Sequence, residues 1–99
     1  MITDQMLNWY VNYLQEDYAA WNLMMGFKEK PLTIRIEIGK VYIKIIKDSS
    51  VHSFIVMKDN PKFKAGDILK ASSYKAPAKN FSRGNVISGH FSGISWSGC

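Results

Sequence analysis

The sequence is poor in the side chains that most enzyme chemistry needs. It holds one cysteine, Cys99, two histidines, His52 and His90, and three prolines in 99 residues. One thiol forms no disulfide within the chain, which fits a reducing cytosol. His52 and His90 lie far apart and match neither a nucleophile pair nor a zinc spacing, so no catalytic residue, metal or cofactor is expected. The acids are few and dispersed, and most stand near a lysine, as Glu29 does between Lys28 and Lys30. Gly89, Gly93 and Gly98 are not followed by the Gly-Lys-Ser/Thr of a phosphate loop. No apolar run approaches the ~20 residues that span a bilayer, and the first residues lack the basic-then-apolar order of a signal peptide. The expectation is a non-enzymatic, cytoplasmic protein without a membrane partner.

What is present is a globular composition, 46% apolar and 21% charged, in a length that suits one domain over 1–99. A domain this small buries a limited share of its surface, so association between copies would add stability. The net charge of +5 is divided unevenly. Residues 1–27 carry Asp4, Glu16 and Asp17 and no Lys or Arg, whereas residues 28–99 hold all thirteen cations against five acids. A basic body behind an acidic segment favours an anionic partner, although lysines also serve to keep small sheets soluble and to block their edges.

Residues 4–25 read as one helix. Thr3 or Asp4 can cap it, Leu7, Val11, Leu14, Tyr18, Trp21 and Met25 recur at helical spacing, and Gly26 followed by Phe27 can close it. Met6, Trp9, Tyr10 and Tyr13 widen the stripe, which suits a core or an interface. After Pro31 the period becomes two. Strands are predicted over 32–38, 41–47, 51–57, 66–71 and 85–97, the last bent at Gly89 and Gly93. Asn60-Pro61 marks a turn. The expected fold is mostly β with an N-terminal helix: a five-stranded, strongly bent antiparallel small barrel over 32–99, or an open sheet with the helix on one face.

The segment from Ala71 to Val86 places Lys75, Lys79 and Arg83 beside Tyr74 and Phe81. Cations suit phosphates and aromatic faces suit bases, the pairing that single-stranded nucleic acid requires. A solvated loop is the alternative, and Tyr74 and Phe81 could equally pack inward.

Arg83-Gly84-Asn85-Val86-Ile87, behind a helix and four strands, resembles the second signature of the Sm and Sm-like proteins. The resemblance implies an SH3-type barrel and binding of single-stranded RNA, or DNA, in the pore of a closed homo-oligomeric ring. By the same resemblance the ring has roughly five to seven subunits. It assigns Arg83 to base support and Gly84 to close backbone approach, with Asn85 in the same loop. The first signature, Asp-x-aromatic-x-Asn, is missing. In its place stands Asp48-Ser-Ser-Val-His52, leaving His52 as the ring that could stand in. A second resemblance, over about residues 41–99 and including Lys75-Ala-Pro-Ala-Lys79, is to small uncharacterised proteins of marine phages, cyanophages among them. That implies a viral protein in a bacterial host's cytoplasm. The competing expectation is a protein-interaction or virion-associated module, in which the aromatic helix is the working surface.

Overall fold

A computed structural model describes residues 2–26 and 32–98. The expectations placed on Phe27, Pro31 and Cys99 lie outside the described residues. Helix α1 spans Asp4–Met25. Thr3 is its N-cap, its hydroxyl accepting from the Met6 N–H at 3.2 Å, while Asp4 adds a carboxylate to the first turn, where the helix dipole favours one. Gly26 ends the helix at φ +76°, a left-handed conformation that costs glycine little.

Five antiparallel strands follow: β1 Ile34–Ile38, β2 Tyr42–Lys47, β3 Ser50–Val56, β4 Asp67–Lys70 and β5 Gly84–Asn85. They form a meander in the order β1-β2-β3-β4-β5. Ile36 sits opposite Ile45 and Ile38 opposite Ile43, which sets the isoleucines of both strands on one face. A register shift between Ile45 and Ile46 adds a bulge, and Ile46 is buried where strict alternation would expose it.

The barrel expectation is corrected here. Among the described residues β1 pairs only with β2 and β5 only with β4, so the sheet is open. The predicted fifth strand is two residues long because Asn85 ends it. Its side-chain Oδ1 accepts from the N–H groups of Ile87 (2.7 Å) and Ser88 (3.1 Å), an Asx turn that competes with strand pairing. Gly89 then takes φ +72°, and the backbones of Asn85 and His90 exchange hydrogen bonds at 2.9 and 3.0 Å. The remainder, to residue 98, runs as turns with isolated bridges.

Both faces of this sheet carry apolar side chains, and the chain covers each. On one face Leu7, Tyr10 and Leu14 of α1 pack with Ile43, Ile45, Ile55, Ile68, Val86 and Ile94. On the other, Phe54, Val56 and Leu69 are closed over by Phe63 from the 57–66 loop. The Asn60 side chain positions Phe63 by accepting its N–H at 2.8 Å.

Only the first half of the predicted helical stripe enters the core. Tyr18 and Trp21 instead meet Trp96, with ring centroids 4.8 and 4.9 Å away, and Asp17 accepts the Trp96 N–H at 2.9 Å. Trp9 and Met25 are exposed.

Candidate nucleic-acid interface

The loop between β4 and β5 is tied down at its base and free at its tip. Ala71 bridges Pro77, and Ala78 donates to the Lys70 carbonyl at 2.7 Å, while Pro77 is buried. Between these anchors the N–H groups of Ser72 and Ser73 both reach the Ala76 carbonyl at 3.1 Å. This small closed turn holds Tyr74 and Lys75 out in solvent. The chain then runs back along β4 until the Arg83 N–H meets the Ile68 carbonyl at 2.7 Å.

Tyr74 and Lys75 meet the sheet face turned away from α1. Lys44 from β2 sets its Nζ 4.4 Å from the Tyr74 ring centroid and 6.0 Å from that of Phe54. Lys44, Lys75, Lys40 and Tyr42 line a groove of about 350 Å³, with Glu37 at its rim. A second cation–aromatic pair follows along the same loop: the Arg83 guanidinium lies 3.9 Å from the Phe81 centroid, and Phe81 is more than half exposed. Lys62 donates to the Lys79 carbonyl and sits 5.7 Å from the Phe63 centroid. Phe54 and Phe63 belong to one core cluster, so Lys44 and Lys62 border the same side of the molecule.

Of the eight residues singled out from the sequence, Lys75 lines this groove and Tyr74 meets its Lys44, while Lys79, Phe81 and Arg83 follow along the same loop. The other three serve the fold. Asn85 uses its whole amide internally, donating to Ala65 O (3.1 Å) and Asp67 Oδ1 (2.9 Å) while Oδ1 holds the Asx turn. Gly84 is buried, and a Cβ there would collide with the His90 carbonyl, so the backbone it admits is the chain's own. His52 is 6% exposed and offers no face to a base. Its Nε2 donates to the Ser95 carbonyl at 2.8 Å, and Nδ1 lies 3.0 Å from Ser53 Oγ and 3.3 Å from the Tyr10 hydroxyl. Burial pushes its pKa below the usual histidine range, with a smaller contribution from Lys47, against a partial offset from the Ser95 bond.

Lys40, Tyr42 and Lys44 were not anticipated as site residues. The signal was present in β2: Tyr42 and Lys44 alternate with Ile43 and Ile45, so they had to occupy the opposite face.

Among the described residues no three His, Cys, Asp or Glu side chains gather as a metal would require, and no helix is long and apolar enough to cross a membrane. The chain belongs to a family of unknown function, DUF7717, whose model matches residues 3–98. No curated protein and no solved structure matches it.

Proposed function

From a family without an assigned activity, we propose a binding protein for single-stranded nucleic acid, RNA before DNA, whose contact surface is the basic, aromatic face opposite α1. The observation that carries this reading is the groove in which Lys44 lies 4.4 Å from the Tyr74 ring beside Lys75 and Lys40. Lys40, Lys44, Lys75 and Lys79 take phosphates, contacts that tolerate any sequence. Tyr74 and the Phe81–Arg83 stack take bases, each of which presents a π-face. Lys44 and Arg83 already rest on these rings, so they lose less side-chain freedom on binding than a bare exposed lysine would lose. The acids of residues 1–27 are confined to α1 and leave this face positive.

The test is fluorescence anisotropy of labelled single-stranded RNA, single-stranded DNA and duplex DNA at several salt concentrations. The expected result is preference for single strands, with log affinity falling linearly against log salt by about 0.7 for each phosphate contacted. Tyr74→Ala and Phe81→Ala each weaken binding by about 1–3 kcal/mol, roughly five- to 150-fold. Lys44→Ala and Lys75→Ala weaken it and flatten the salt slope. Absence of binding at low salt overturns the reading and favours the second one, a protein-interaction module. That reading rests on the exposed Trp9, Leu23 and Met24 of α1.

A further inference from the structure

We propose that two copies of this chain join through β1, pairing it antiparallel with itself about a two-fold axis at Ile36, so that two five-stranded sheets become one of ten strands. The backbone defines which groups are available. Gly39 donates to the Tyr42 carbonyl at 2.9 Å and Asp48 to the Thr33 carbonyl at 2.7 Å, so odd-numbered residues of this strand bond to β2. In an antiparallel ladder the alternate residues point the other way, so the N–H and C=O groups of Ile34, Ile36 and Ile38 face outward at the edge. Two residues before Ile34, α1 closes that edge: the Gln15 side chain donates to Leu32 O at 2.7 Å and accepts from Leu32 N at 2.9 Å. The open stretch is therefore bounded, and it coincides with β1.

Its side chains are self-complementary in one register. With Ile36 opposite Ile36 of the second copy, Ile34 faces Ile38 and Arg35 faces Glu37, each pairing occurring twice. The outward backbone groups of Ile34, Ile36 and Ile38 then exchange about six hydrogen bonds. The Arg–Glu pairs fall at the non-bonded positions, where side chains approach most closely. Sliding by one step toward either end puts Arg35 opposite Arg35 or Glu37 opposite Glu37, so the charges select the register as well as the partner. Within one chain Arg35 and Glu37 form only a loose pair, 3.6 Å apart and about half exposed. Ile38 is 66% exposed and Ile36 37%, an apolar edge of the kind that soluble proteins otherwise blunt or cover.

The two-fold arrangement replaces the expected ring. Head-to-tail closure through sheet edges needs two different free edges. β5 offers none, because Asn85 is already bridged by His90 on that side.

The test is sedimentation velocity from about 1 to about 200 µM, a range suited to a small interface. The expected result is a monomer–dimer equilibrium. Arg35→Glu and Glu37→Arg, each alone, place like charges opposite one another and weaken association at least about tenfold. The double variant restores it, and mixing the two single variants yields a heterodimer. Both positions are solvent-exposed, so circular dichroism should show each variant folded; Ile36→Lys provides an independent disruption of the same edge. A wild-type chain that stays monomeric, an assembly larger than a dimer, or a dimer indifferent to both single charge reversals overturns the proposal.

Discussion

His52 shows how one residue changes meaning with its surroundings. In the sequence it is the one ring near a missing base-stacking signature; in the fold it is a neutral strut joining Tyr10 of α1, Ser53 of β3 and the Ser95 carbonyl. Burial holds its folded pKa below the unfolded value of about 6.5. The sign follows from proton counting. Below about pH 6.5 the unfolded chain binds a proton that the folded chain resists, so stability is complete above that pH and declines as the pH falls toward the folded pKa. The slope in that window is at most about 1.4 kcal/mol per pH unit. Thermal melts between pH 7.5 and 5 should show the wild type losing stability more steeply than His52→Gln, which starts lower but carries no such proton. Equal slopes would mean that His52 titrates alike in both states.

At the scale of elements, β1 and β2 were legible through their alternation, β3 and β4 as short apolar runs bounded by turn residues, and the Asn-Pro turn is encoded by its own chemistry. β5 was not. Asn85 to Ser97 alternates loosely enough to pass for a bent strand, but the Asn85 side chain diverts the backbone after two residues. That side-chain bonding competes with a ladder, and apolar periodicity does not register it. The same short element explains why Arg83-Gly84-Asn85 resembled a binding signature while only Arg83 reaches the proposed surface. Gly84→Ala should cost about 1–3 kcal/mol through overpacking against the His90 carbonyl. Asn85→Ala should cost about 0.5–1.5 kcal/mol by removing the bonds its amide makes to Ala65 O and Asp67 Oδ1 and the Asx turn it holds at Ile87 and Ser88. Urea unfolding measures both. Nucleic-acid affinity, corrected for the folded fraction, should be nearly unchanged in each; a specific loss in Asn85→Ala would return that amide to the site.

Over the whole molecule, the barrel failed for a reason of length: a two-residue β5 cannot meet β1 across the open side, so the chain covers its sheet with a helix on one face and the 57–66 loop on the other. Among the described residues that leaves β1 as the free edge, and the basic groove lies beside it, with Glu37 and Lys40 among its lining residues. A two-fold pair through β1 would therefore set two grooves on one continuous sheet face. On the proposed function, each groove alone would contact a few nucleotides weakly, but a strand long enough to reach both would make its second contact intramolecularly, at a high effective concentration. Affinity should then rise with oligonucleotide length by a factor of about 100 or more once both grooves are spanned. The informative quantity is the ratio of long-strand to short-strand affinity within each protein, because Arg35→Glu also alters local charge. That ratio should fall towards that of simple site counting in monomeric Arg35→Glu and recover in the Arg35→Glu/Glu37→Arg double variant. If it is the same in all three proteins while binding itself persists, the grooves act singly and the dimer has another purpose.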